Sequence, residues 1–489
     1  MRMARAGSIC CVTALIFAAA AHAGPWAEVG DAQTRSDVEL AAAYGLVNNV
    51  TMQWPMPWTG IMAQLQDEHR IAELPPEVRE AATRLLAKGA DDLHVGRARA
   101  DLTVDVTNAP ATVRGYDGLG RTKAESQVDY EYLSSATALR LAVGAKKSTT
   151  GDSQTLVLDS SYIAHRIDGM IVYAGYLSHW WGPGWISALS LSNNMRPMPQ
   201  IGVSRVETEP SSWWLLNWMG PWQAEAFIGI LDGPRIARNT GYVAIHVAFN
   251  PLPGFEIGMS RTTEICGSGH DCRPLVDYFT FSNDPSHVNE TNDQGSIELR
   301  YTGTALSHPY ALYAQFMNED TNPIIHSATS KVAGATVWLP VDGMLGRFTL
   351  EYANSIPTTD IWGNGTLHGA AYNNWDFVDG MRYRGRSLGF SLDSDSILYS
   401  AQASLIDDAQ RTWTVAYHRA DVSSSANSRF NVVTTAPVQF NALEAKLSMP
   451  LRWGEYAAHV DVASRWQDDQ PRPQSGSQFG FEVAFRVGI

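Results

Sequence analysis

The chain has 489 residues, with 36 Lys and Arg against 50 Asp and Glu. The net charge of −14 excludes a nucleic-acid binder, which needs a concentrated basic surface. Charged residues are 18% and hydrophobic residues 45%, which excludes a disordered chain; 40 Gly, 16 Trp and 18 Tyr suit an all-β protein rich in turns and aromatic anchors.

The N-terminus has the three parts of a signal peptide in order. Arg2 and Arg5 supply positive charge, Ile9 to Ala21 is apolar, and Ala21-His22-Ala23 is a small-x-small cleavage site. The pattern predicts removal of residues 1–23 and a mature start at Gly24. Cys10 and Cys11 lie at the start of the apolar stretch and not after it, so no lipid anchor is expected. Cys266 and Cys272 then remain as the mature cysteines. In an oxidising compartment so close a pair reads as a small loop disulfide. A metal site using His270 and Asp271 between them is the alternative. No later apolar run reaches the roughly 20 residues of a spanning helix, which leaves a soluble periplasmic protein or a barrel.

Residues 24–94 read as a small helical unit. Ser36-Asp-Val-Glu39 has the form of a capping box, followed by Leu40, Ala41–Ala43 and Tyr44, with Gly45 as a stop. Thr59 is a cap for a short helix carrying Ile61, Met62 and Leu65. Pro75-Pro76-Glu77 starts another, with Val78, Ala81, Ala82, Leu85 and Leu86 on one face and Gly89 at its end. Trp54-Pro-Met-Pro-Trp58 links the first two.

From about residue 95 to 489 the apolar period becomes two. Val243, Ile245, Val247 and Phe249 alternate, as do Ile297, Leu299 and Tyr301 around Glu298 and Arg300. Leu443 to Met449 and Phe481 to Ile489 repeat the pattern, with Glu444, Lys446, Glu482 and Arg486 on the other face. A soluble sandwich alternates likewise, so the connections decide. Residues 406–410 and 450–455 are short, whereas 420–438 and 467–478 are long and polar. Outer-membrane barrels alternate short periplasmic turns with long outer loops in this way. About 390 residues at roughly 10 per strand, with connections of similar length, make about 18 to 20 strands. The expected fold is a mainly β transmembrane antiparallel barrel with a small N-terminal helical bundle. The chain ends in Ile489, where bacterial barrels commonly end in an aromatic residue.

No G-x-S-x-G, H-E-x-x-H, C-x-x-C or phosphate-loop pattern is present, so nothing in the motifs positively supports an enzyme. Three unusual stretches remain. One is His179-Trp180-Trp181-Gly-Pro-Gly-Trp185 with Ser192-Asn-Asn-Met-Arg196-Pro-Met-Pro199; the second is Trp213, Trp214, Trp218 and Trp222. The third is Gly380-Met-Arg382-Tyr383-Arg384-Gly-Arg386, preceded by Tyr372 and Trp375. Trp and Tyr either anchor at the lipid–water interface or offer flat faces to sugar rings. Arg382, Arg384 and Arg386 alternate, so in a strand they share one face. A lipid-facing Arg row is costly, which places them in the lumen, bound to anionic polymer or paired with acids. The expected polysaccharide-binding residues are therefore Trp180, Trp181, Trp185, Arg196, Arg382, Tyr383, Arg384 and Arg386.

Five motifs together resemble the Wzi family of capsule-assembly outer-membrane proteins. They are Trp180-Trp-Gly-Pro-Gly184, Ser192-Asn-Asn-Met-Arg-Pro-Met-Pro199, Gly258-Met-Ser-Arg-Thr262, Tyr313-Ala-Gln-Phe-Met-Asn-Glu-Asp320 and Gly380-Met-Arg-Tyr-Arg-Gly-Arg386. The resemblance implies an 18-stranded barrel plugged by a periplasmic helical bundle. It implies a surface lectin that holds capsular or related polysaccharide, with no enzymatic activity and no cofactor. Its partners would be capsular or exopolysaccharide, outer-membrane lipid with lipopolysaccharide, and periplasmic capsule-export components. A long polymer presents many repeats, so weak contacts add up to firm attachment. The outer loop from Asp421 to Val438 is an expected contact region, and a solute-transport barrel is the competing reading.

Overall fold

The computed structural model describes residues 24–272, 274, 291–319, 328–425, 430–453, 456–470 and 477–489. The expected signal peptide lies outside them, as do residues 426–429 of the long Ser-rich loop and 471–476 of the polar loop before the last strand.

The strands of the main sheet run antiparallel in chain order from Ala98–Thr107 to Gln478–Gly488. The last strand pairs with the first, with Val483 opposite Val106 and Phe485 opposite Val104, and closes a barrel. Leu156–Val157 and Tyr162–Ile167 both pair with Thr137–Lys146 and act as one interrupted strand, so the nineteen segments of the sheet make 18 strands. Closure removes the unpaired sheet edges that a membrane could not satisfy.

Period-two alternation sorts the two faces. On Thr137–Lys146, Leu139, Leu141 and Val143 are exposed outward, while Ala138, Arg140 and Ala142 are buried inward. Leu312, Leu350, Tyr417, Leu443 and Phe481 extend the exposed apolar exterior. Glu225, His246, Glu298, Arg300, Gln315, Glu351 and Glu482 fill the interior, as expected for lipid outside and a polar lumen inside.

One rim carries tight turns. Asp168-Gly169, Leu306-Ser307 and Asp342-Gly343 all have positive φ at both positions, the geometry of two-residue hairpins whose twist matches the strands. This rim faces the periplasm in outer-membrane barrels. The opposite rim carries long connections, notably residues 108–123, 176–199 and 359–396.

The helices occupy the lumen at the short-turn end, where the Tyr44 hydroxyl reaches the Ser307 carbonyl at 3.4 Å. α1 spans Ala32–Ala43 and is capped by Asp31, which accepts from Thr34 N at 2.9 Å. Ser36 and Glu39 sit within the helix and make no capping box; they bond to the barrel wall. α2 is Trp58–Gln64, begins at Trp58 behind Pro57, and has no side-chain cap, so Thr59 lies inside it. A five-residue α3, Glu68–Ala72, is capped by Asp67. α4 begins at Pro76, as the Pro pattern predicts, and runs past Gly89 to Asp92. Gly89 serves packing and not termination: a Cβ there would lie 2.4 Å from Met62 Sδ and 3.1 Å from the Trp58 ring.

Candidate functional site: a locked lumen beneath an aromatic outer rim

Inward loops and helices meet at the centre of the barrel. Trp180-Trp181 pair as a short strand with Gln53-Trp54 of the helical unit, and Gly182 N donates to the Met52 carbonyl at 2.9 Å. The Trp-Gly-Pro-Gly stretch turns too sharply for side chains, since a Cβ on Gly184 would lie 2.1 Å from the Ser187 carbonyl oxygen. Trp180 and Trp181 are 0% exposed and Trp185 2%. Tyr116 stands edge-on to Trp54, Trp180 and Trp185, with centroids 5.6 to 5.9 Å apart. The Trp185 ring also lies under the guanidinium groups of Arg35, at 4.3 Å, and Arg347, at 3.4 Å. These three Trp residues present no free face to a sugar.

A buried ionic chain fastens α1 to the wall. Arg35 Nε pairs with Glu39 Oε1 at 2.8 Å, and Glu39 Oε2 pairs with Arg300 Nη2 at 2.9 Å. Arg35 Nη2 donates to the Pro183 carbonyl at 2.9 Å and Arg300 Nη1 to Thr51 Oγ1 at 2.6 Å. The Glu256 carboxylate accepts Thr51 N and Met52 N at 2.7 and 3.0 Å. Trp338 Nε1 donates to Ser36 Oγ at 3.0 Å. Glu351 Oε2 accepts Trp185 N at 2.8 Å and the Tyr313 hydroxyl at 3.0 Å. Each pair is desolvated but hydrogen-bonded, the condition under which buried charges are tolerated.

The expected Arg row is not a barrel strand. Arg382-Tyr383 and Arg386-Ser387 are the two arms of a hairpin inside the 359–396 loop, and Arg384 and Gly385 form its turn with φ of 49° and 74°. The three Arg side chains therefore go different ways. Arg382 pairs with Asp393 at 2.8 Å, and Arg384 with Asp152 at 3.2 Å and Asp232 at 3.1 Å. The Tyr383 hydroxyl donates to Asp232. Arg196 pairs with Glu125 at 2.9 Å and Asp159 at 2.5 Å. Arg386 bonds neutral oxygens, Asn194 Oδ1 at 3.2 Å and the Arg121 carbonyl at 2.8 Å. Burial and the Arg121 guanidinium push its pKa down to about 10. Burial and Arg196 lower that of Arg121. Arg121 and Arg386 are both half-buried on outer connections, and the Glu125 carboxylate is close enough to offset part of the shift in each.

Two residues outside the expected set are the most exposed aromatics of the outer side among the described residues. Trp362 is 84% exposed and Trp375 is 93%, both on the 359–396 loop. Each rides on an Asx turn: Asp360 Oδ1 accepts Trp362 N at 2.9 Å and Asn364 N at 3.1 Å. Asn374 Oδ1 accepts Asp376 N at 2.9 Å and Phe377 N at 3.0 Å. Phe377 is buried and stacks on His270 at 4.0 Å. Cys266 and Cys272 are joined as a disulfide, so their thiolates are not available as metal ligands. Among the described residues, no group of three or more His, Cys, Asp and Glu is placed to hold a metal ion. The Asp421–Val438 loop is tied to the same surface, as Asn431 Nδ2 donates to the Leu392 and Ser394 carbonyls at 2.9 and 2.6 Å.

A closed, apolar-walled barrel with helices packed into its lumen is a plugged outer-membrane β-barrel. The chain belongs to the Wzi capsule assembly protein family, whose pattern it matches over residues 94–476. It is similar in structure to Wzi of Escherichia coli, an outer-membrane carbohydrate-binding β-barrel involved in group 1 capsule assembly. The TM-score is 0.79 at 16% identity, covering 95% of this chain and 99% of that one. An uncharacterized 55.8 kDa protein in the cps region of Klebsiella pneumoniae is 27% identical over 165 residues, 33% of this chain and 32% of that protein. OprD of Pseudomonas aeruginosa is 12% identical with a TM-score of 0.45, covering 81% of this chain and 94% of that one.

Proposed function

We propose that this protein holds capsular or related polysaccharide on the cell surface as a lectin and performs no chemistry on it. The observation that carries the reading is the exposed Trp362 and Trp375 pair, set above a lumen filled by helices and inward loops. Flat aromatic faces held by turns bind sugar rings at little ordering cost, and Arg121 and Arg386 suit the acidic groups of a polymer. The filled lumen supports attachment over the passage of solutes. Residues 1–23 act as a signal peptide cleaved after Ala23, residues 24–94 as a periplasmic plug, and residues 95–489 as the barrel. Lipopolysaccharide and periplasmic capsule-export components are the further partners of this reading.

The test is the polysaccharide balance of a strain lacking the gene. Unchanged total polymer shed into the medium is the expected result. Polymer that stays cell-bound overturns the reading and returns weight to transport, which planar-bilayer conductance measures directly.

A further inference from the structure

Residues 206–221 are a long connection on the short-turn rim, between strands Gln200–Arg205 and Trp222–Leu231. The first half of the connection faces the plug. Thr208 Oγ1 accepts from Asn48 Nδ2 at 3.0 Å and Gln64 Nε2 at 3.2 Å, and α2 presses its Gly60 against the Val206 carbonyl.

The second half turns outward. On strand Thr240–Leu252 the inward positions are Tyr242, Ala244, His246 and Ala248; His246 bonds Gln53 of the helical unit at 3.0 Å. Phe249 has the opposite parity and faces the lipid. It is nevertheless buried, because Trp218 stands edge-on against it, with centroids 5.6 Å apart at 81°. Gly220 closes the fold onto the wall: its φ is 64° and a Cβ would lie 2.2 Å from the Asn250 carbonyl oxygen. Asn250 N donates to the Pro221 carbonyl at 2.8 Å. Trp213, Trp214, Leu215 and Trp218 are left exposed, Trp214 at 79% and Trp218 at 64%.

We propose that Trp213, Trp214, Leu215 and Trp218 form a foot that inserts into the headgroup–acyl boundary of the periplasmic phospholipid leaflet. The occupant follows from continuity: Trp218 already lies on the lipid-facing wall, so the patch extends the membrane belt. Indole rings favour this depth because their body is apolar and their N–H needs a polar partner. An irregular backbone cannot enter the hydrocarbon core, which keeps the foot at the boundary. The same connection grips the plug through Thr208, so the foot ties the plug end of the barrel to the leaflet. The inference uses barrel orientation alone and stands apart from the sugar-binding reading.

The full barrel, labelled with fluorotryptophan and placed in phospholipid nanodiscs, tests this by fluorine NMR. Trp213→Phe, Trp214→Phe and Trp218→Phe assign the three signals, and heat-dependent gel mobility checks that each variant is folded. A lipid spin-labelled near its headgroup is expected to broaden these signals severalfold more than a water-soluble gadolinium chelate does. Equal broadening, or stronger broadening by the chelate, overturns the proposal and leaves a water-exposed face suited to a periplasmic protein.

Discussion

Trp180, Trp181 and Trp185 at the plug junction and Trp362 and Trp375 at the outer rim are one residue type in opposite surroundings. The inner three pack on Tyr116, Arg35 and Arg347 and are sealed from solvent. The outer two stand on side-chain-capped turns with their faces in water. In the inner group the aromatic surface is spent on holding helices to the wall. In the outer group it stays open to water, where the proposed ligand would meet it. A Trp cluster in a sequence therefore marks where surface is concentrated, and only the fold decides which partner covers it.

The sharpest break of this comparison is Trp181→Ala. Removing a fully buried indole that touches His246 and Phe227 should cost about 3–5 kcal/mol. Heat-dependent gel mobility should show a lower unfolding midpoint, and protease should reach the helical unit in the folded barrel. A midpoint equal to wild type would mean that the junction does not hold the plug. By contrast, Trp362→Ala with Trp375→Ala should change the stability by less than about 0.5 kcal/mol, as exposed substitutions do, and leave the midpoint near that of wild type. That double variant should weaken polysaccharide binding about tenfold, equivalent to roughly 1.4 kcal/mol. Binding measured on immobilised polymer that stays at the wild-type level would remove the outer pair from the site.

The barrel was legible because a strand facing lipid on one side and a polar lumen on the other must alternate locally. Leu443 to Met449 and the tail ending at Ile489 carry this on their faces. Loop lengths gave the two rims for the same reason. The helix ends were less legible: Gly89 reads as a stop, but the close approach of Met62 and Trp58 uses its missing side chain. Nor could alternation at Arg382, Arg384 and Arg386 reveal a hairpin, because the turn at Arg384-Gly385 sets the three side chains apart. Trp362 did have a signal. It lies in Asp360-Ile-Trp-Gly-Asn-Gly365, a turn composition with no apolar period, where a large aromatic has no core to enter.

The smallest effect separates burial with a partner from burial without one. Asp31, Lys88 and Asp92 of the helical unit line one cavity of about 480 Å³ that the barrel wall closes with Lys446, Asp461 and Arg486. Burial opposes the charge of Asp31, but the Lys88 ammonium and the Thr34 N–H outweigh it and hold its carboxyl below the usual range. Burial pushes the carboxyl of Asp92 well up despite Lys88, and Glu28 and Glu131 add to the rise; its Oδ1 has no hydrogen-bond partner. A depressed folded pKa gives stability that is present above the unfolded value of about 4 and lost as pH falls. A raised one in an acid works the other way, so burying Asp92 weakens the fold at a pH above the unfolded value, and the penalty fades on acidification. Asp92→Asn should therefore raise the unfolding midpoint at pH 7 and leave it unchanged near pH 4. Asp31→Asn should lower it at pH 7. If Asp92→Asn instead lowers the midpoint at pH 7, Asp92 is held charged by Lys88 in the same way as Asp31, and the contrast between the two carboxylates fails.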